Sequence, residues 1–192
     1  MKNIWVVVCC VLCAVAQAQT PVNETYDNSS VERLGQMGKA YISEVKRIAG
    51  ISYSDVTLNI NIRKERSFAN NTVAKDIYFS GSNAEGTCEG FIEASEADDA
   101  INALKYISDS LLTTTPENEI HFAKRFSNSF FVIYASYSPS PGKIFTKGEW
   151  DISVVLNEHE SANNQGTVHI KRSDLGTLIQ ILQTCKEKLK VF

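Results

Sequence analysis

Apolar and polar residues alternate most clearly at 56–64, "VTLNINIRK", where Val56, Leu58, Ile60 and Ile62 fall on one side. A period of two over that length predicts a strand with one buried face. The same pattern predicts strands at 74–81 and 86–93, and in the second half at 119–126, 130–138, 149–157 and 167–170. "SNS" (127–129) joins two runs rich in aromatic and branched residues, which is a hairpin signature. "PSPG" (139–142) breaks the chain and "SANNQG" (161–166) makes the next turn. Twice the period lengthens to that of a helix, once through Ile101, Leu104 and Ile107, and once through Leu178, Ile179, Leu182 and Cys185 toward Lys190. Segment 31–48 is ambiguous. Val31, Leu34, Met37, Tyr41, Val45 and Ile48 fit helical spacing, yet Gly35 and Gly38 punctuate it. We read a helical turn near 31–35 followed by a strand over 39–48.

That strand is what an internal repeat requires. "FIEASEADDAINALKYI" (91–107) lies over "HIKRSDLGTLIQILQTC" (169–185) with an offset of 78. Ile92 meets Ile170, Ser95 meets Ser173, Glu96 meets Asp174, Ile101 meets Ile179, Leu104 meets Leu182 and Ile107 meets Cys185. Each copy passes from an extended stretch through a Ser and an acid into an amphipathic helix. Ser95 and Ser173 suit the N-cap, where a hydroxyl accepts from first-turn amides, and the acids suit the positive end of the helix dipole. Four carboxylates crowd the first copy: Glu93, Glu96, Asp98 and Asp99. The second copy has Lys171, Gly176 and Thr177 where Glu93, Asp98 and Asp99 stand, so a helix start is favoured over a metal site, and the spacing does not match a calcium loop. The fold class is therefore α+β: two tandem ββββα units packed as a pseudo-symmetric pair, with largely antiparallel sheets and one long helix per unit. The units span 31–112 and 113–192, with Ile101, Leu104, Leu178, Ile181 and Leu182 expected in the core.

The amino terminus changes the accounting. Lys2, the apolar run from Ile4 to Ala16 and Ala16-Gln17-Ala18 read as a signal peptide over 1–18. Export, to a periplasm or the outside, is the expected localisation. Residues 19–30 are polar and without period, a flexible leader. Cleavage after Ala18 would remove Lys2 and move the formal charge from −3 to −4. That mild acidity argues against a general nucleic-acid binder. Cleavage would also remove Cys9, Cys10 and Cys13, leaving Cys88 and Cys185. In an exported chain such a pair suggests a disulfide; each also stands where a small buried apolar residue fits. Both readings stay open at this point.

Two strand-strand-strand-strand-helix units in tandem resemble, in element order, the Whirly proteins and the related dimeric transcription-cofactor fold. That resemblance implies a sheet surface for single-stranded nucleic acid. At the level of sequence, "GKAYISEV", "GFIEASEADDAINAL" and "HFAKRFSNSFFVIYAS" look like a set of uncharacterised proteins from bacteria and plants. This second resemblance covers about residues 34–190, implies a fold and carries no activity.

Catalytic groupings do not emerge. His121, His159 and His169 form no H-E-x-x-H arrangement, and neither a G-x-S-x-G elbow nor a phosphate-binding G-x-x-x-x-G-K-[ST] loop is present. Phe122, Lys124, Arg125, Phe126, Phe130, Phe131, Tyr134 and Tyr137 mix rings and cations as single-stranded nucleic acid requires. Alternation in two strands explains them equally. The expectation is an exported, non-enzymatic interaction or binding protein of unknown ligand, without cofactor or metal, a monomer or weak homo-oligomer whose partner is unknown, with another protein as one candidate. The rival is a single-stranded nucleic-acid-binding module.

Overall fold

In the computed structural model, residues 25–26, 40–52, 56–68, 71–83, 86–139, 148–157 and 166–192 are described. The signal peptide expected at 1–18 and the helical turn expected at 31–35 lie outside them. The strand read at 56–64 becomes β3 (Thr57–Ser67), flanked in sequence by β2 (Tyr41–Ser52) and β4 (Thr72–Asn83), with β5 (Gly86–Glu93) next. β2, β3, β4 and β5 pair in that order, each antiparallel to the last. A two-residue strand, β1 (Thr25–Tyr26), runs parallel to β4 beside Thr72 and Val73, so the segment read as a leader contributes to the first sheet. The second sheet repeats the meander with β6 (Ile120–Phe126), β7 (Phe131–Ser138), β8 (Glu149–Leu156) and β9 (Gly166–His169). Each sheet is followed by one helix, α1 (Ala97–Asp109) or α2 (Leu175–Val191).

The repeat holds to the residue at the helix starts. A single 3-10 turn precedes each helix, Ala94–Glu96 before α1 and Arg172–Asp174 before α2. Ala97, Ala100, Leu104 and Ile107 are buried on α1, and Leu175, Leu178, Leu182 and Cys185 occupy the matching places on α2. Of the expected core residues, Ile101, Leu104, Leu178 and Leu182 are buried, whereas Ile181 is half-buried at the margin.

The capping expectation fails. Neither helix start has a side-chain cap. The 3-10 turns move the helix entry one residue past each serine, and the Ser95 hydroxyl instead donates to Glu93 (3.4 Å) and that of Ser173 to Asp174 (3.0 Å).

The second helix crosses to the first sheet. α2, from the second unit, lies across β2, β3 and β4 of the first sheet, while α1 packs on α2 and reaches β5 and β7. Lys75 Nζ on β4 donates to the Leu189 carbonyl of α2 at 3.3 Å. The buried residues accordingly form one continuous apolar cluster drawing on both units. β5 also packs against β7, β8 and β9. That approach needs Gly90, because a Cβ there would come within 2.3 Å of the Phe130 carbonyl.

β2 overrides its own helical spacing. Tyr41, Val45 and Ile48 would line a helix, but antiparallel pairing with β3 runs along nearly the whole strand and satisfies the backbone groups on its inner side. Ile48 is left as a bulge between Arg47 and Ala49.

Candidate functional site

Two features stand out from the frame, one buried and one exposed. On the face of the first sheet turned away from Leu58, Ile60 and Ile62, β3 carries Asn61, Arg63, Glu65 and Ser67, all buried. Arg63 stands directly opposite Asp76 of β4. Its Nε lies 3.1 and 3.2 Å from the two Asp76 oxygens, and its Nη2 lies 2.5 Å from Oδ2. Nη1 is 3.3 Å from Glu65 Oε1. The guanidinium carbon sits 4.6 Å from the centre of the Tyr78 ring and 5.6 Å from that of Phe91. Burial works to lower the Arg63 pKa; the Asp76 carboxylate and, behind it, Glu65 outweigh burial and hold it above its ordinary value. The cation is thus fixed by a fork-on-carboxylate pair and two ring faces. Sequence reading missed this group, because alternation along β3 assigned these positions to solvent. Only the β3–β4 register reveals that Arg63 and Asp76 face each other.

The exposed feature is β2. It forms the outer edge of the first sheet, with β3 as its neighbour among the described residues. Residues 41–47 are exposed on both faces of the strand. Cross-strand partners share a face, so Tyr41, Ser43, Val45 and Arg47 lie on the side of Arg63, and Ile42, Glu44 and Lys46 on the helix side. Three large apolar residues remain open there: Tyr41 at 43%, Ile42 at 55% and Val45 at 52% exposure. A long edge with open apolar side chains is what folded chains ordinarily avoid. The matching edge, β6, is guarded differently. Lys124 and Arg125 stand on it side by side, with Lys124 3.8 Å from Asp99.

The acidic helix start resolves into separate contacts. Three consecutive left-handed residues, Ser127, Asn128 and Ser129, turn β6 into β7. The Glu96 carboxylate accepts from the Ser127 amide (2.9 Å) and hydroxyl (2.6 Å), and the Ser127 hydroxyl accepts from the Glu93 amide (2.9 Å). Asp98 pairs with Lys186 of α2 at 2.6 Å, beside a shallow inter-helix groove of about 270 Å³. The carboxylates therefore point to different partners. Among the described residues, no group of three or more His, Cys, Asp and Glu side chains is placed to hold a metal ion.

The cysteines are free thiols, which corrects the disulfide reading of Cys88 and Cys185. Cys88 Sγ donates to the Gly81 carbonyl and fills the space beside Gly166, where an added Cβ would lie 1.8 Å from the sulfur. Cys185 is buried on α2 among the core residues, and burial pushes its thiol up to about 12. Each sulfur thus fills a gap in its own layer. The exposed histidines pair with acids, His121 with Glu119 (3.2 Å) and His169 with Asp151 (3.0 Å); His159 lies outside the described residues. Of the rings read along 122–137, Phe126, Phe131 and Tyr137 are buried, and Phe122, Phe130 and Tyr134 are half-buried.

These features define an α+β chain built of repeated ββββα units. No family model matches it, and no curated protein matches it in sequence. Among solved structures, it is similar to one described under the heading that mutations in SsgB correlate to longitudinal cell division during sporulation of Streptomyces coelicolor. Identity is 10%, 76% of this chain and 88% of that chain are covered, and the TM-score of 0.26 is too low to speak for fold or function. Among the described residues, no helix is long and apolar enough to cross a membrane.

Proposed function

We propose that the chain is an exported, non-enzymatic interaction protein that takes up an extended partner segment along β2. The observation that carries this reading is the β2 edge, exposed on both faces over 41–47 and bearing Tyr41, Ile42 and Val45. Strand addition supplies main-chain hydrogen bonds for affinity and alternate side chains for specificity. The rest of the molecule is suited to presenting that edge. β3 behind it is anchored by the Arg63–Asp76 pair and roofed by α2. A Whirly-like reading, with single-stranded nucleic acid on a sheet, draws less support. Bases stack on open ring faces, and three of the rings that prompted it are buried.

Two measurements test the proposal. Mass spectrometry of protein recovered outside the cytoplasm should find Gln19 at the amino terminus; an intact Met1 there would refute the export pathway. A photo-reactive residue at position 45, introduced in the producing cell, should form protein adducts, whereas one at Asn102 on α1 should not. Equal labelling at the two positions, or none at 45, removes the strand-addition reading.

A further inference from the structure

We infer that the segment docking on β2 is β2 of a second copy of this chain, paired antiparallel about a two-fold axis through Val45. The inference rests on the strand-addition reading above and adds the identity of the occupant. In a continuous sheet, directly opposed residues share a face. Self-pairing about an axis normal to the sheet therefore opposes only residues of like parity. With the axis at Val45, Glu44 of each copy faces Lys46 of the other, and Ser43 faces Arg47. Val45 meets Val45 on the side of the sheet that holds the Arg63 cluster. Moving the axis by one residue sets Glu44 against Glu44, or Lys46 against Lys46, and like charges directly opposed are unfavourable. The five residues 43–47 thus carry a self-complementary charge pattern, and all five are exposed.

The surrounding structure sets the length of the contact. The bulge at Ile48, between Arg47 and Ala49, interrupts the regular edge on one side. Ile42 flanks the pairing at the other, 55% exposed and close to Ile48 of the second copy. Both apolar groups that strand pairing would bury, on the dyad and at its ends, are therefore among the most open large hydrophobic residues described. β6 lacks such a pattern. Its sequence Ile120-His-Phe-Ala-Lys-Arg-Phe126 holds adjacent Lys124 and Arg125 and no acid, so self-pairing there finds no charge partner. A contact of five residues is short, and the dimer forms and dissociates with concentration.

Engineered cysteines read the register directly. Opposed residues in an antiparallel pair have Cα atoms about 4.5–5.5 Å apart, within the span of a disulfide. Val45→Cys should give a covalent dimer on mild oxidation, while Ser43→Cys and the parent chain, with its own cysteines, should not. Charge reversal supplies an independent arm. Glu44→Lys alone and Lys46→Glu alone should each abolish the dimer in sedimentation velocity, and the double reversal should restore it. Thermal melts of each variant establish that the fold is retained. A chain that stays monomeric at every concentration, a Ser43→Cys dimer in place of the Val45→Cys dimer, or a double reversal without rescue overturns the inference. Photo-crosslinking at position 45 separates the two levels. Adducts of about twice the chain's mass support self-pairing. Adducts with a different protein refute self-pairing but keep strand addition, and their absence refutes both.

Discussion

Replacing Asp76 by alanine should cost about 3 kcal/mol, far more than loss of a surface ion pair. The side chains of Arg63 and Asp76 are 7% and 9% exposed, so the pair sits in the regime where removing one partner strands a buried charge. That loss typically costs about 3–5 kcal/mol, against about 0–1 kcal/mol for exposed pairs. Glu65, 3.3 Å from Nη1, still faces the cation and draws the figure to the lower end. For a chain of this size, about 3 kcal/mol corresponds to a Tm lowered by roughly 6–12 °C. Urea titration should show the midpoint falling at unchanged slope, the sign that stability and not the extent of unfolding has changed. The triple variant Arg63→Met, Glu65→Gln, Asp76→Leu, which removes all three charges, should recover most of the loss. The sign of any pH effect follows from the raised Arg63 pKa. Its contribution is full below the unfolded-state value and fades only in strong alkali, so it adds no slope near neutrality. An Asp76→Ala cost below about 1 kcal/mol would show that the cluster behaves as solvated surface, and would refute the account given of it.

Three further outcomes are expected. Ser95→Ala and Ser173→Ala should each stay within about 0.5 kcal/mol of the parent in urea melts, as uncapped surface positions do, whereas Glu96→Ala, which deprives the Ser127 amide and hydroxyl of their acceptor, should cost about 1.5–3 kcal/mol; equal losses would restore the capping model. Gly90→Ala should destabilise by about 1–3 kcal/mol or more, because its methyl meets the rigid Phe130 carbonyl, and an unchanged melt would mean that β5 and the β6–β7 turn are not in close contact. In native protein, alkylation should favour Cys88 over Cys185. The rise of the Cys185 thiol from 9.0 to about 12 cuts its thiolate about a thousandfold, and burial blocks access, so rapid labelling of Cys185 before unfolding would contradict its place in the core.

Much of the architecture was legible because it rests on short-range regularities. The offset of 78 placed the two helix starts correctly, and alternation found the strands, because one face of each sheet meets a single apolar core. What stayed hidden depends on residues brought together by pairing. Arg63 and Asp76 are thirteen positions apart and meet only through the register of β3 with β4. Glu96 was read as a dipole partner of its own helix, yet its carboxylate serves Ser127, thirty-one residues on. The serines were misread for a local reason. A 3-10 turn intervenes, and nothing in "EASEAD" or "KRSDLG" distinguishes it from the first turn of an α-helix. Counting cysteines could not choose between a disulfide and two packed thiols, because the choice rests on where each sulfur lies: one fills a gap between glycines and the other joins the apolar layer under α2.

The crossing of α2 onto the first sheet has a consequence for how the chain is made. The first sheet, complete by residue 93, has only α1 against β5 to cover it from its own unit, because the helix that covers β2, β3 and β4 is Leu175–Val191 of the second unit. A growing chain therefore carries a finished meander with much of one greasy side bare until Leu175–Val191 emerges, and closure joins groups more than a hundred positions apart, as Lys75 and Leu189 show. Such late, non-local closure slows folding and leaves the partly built chain open to holding factors. A chain cut before Leu175 would lose the cover over the first half while keeping the second half's strands, so such a truncation falls hardest on the part of the protein already synthesised.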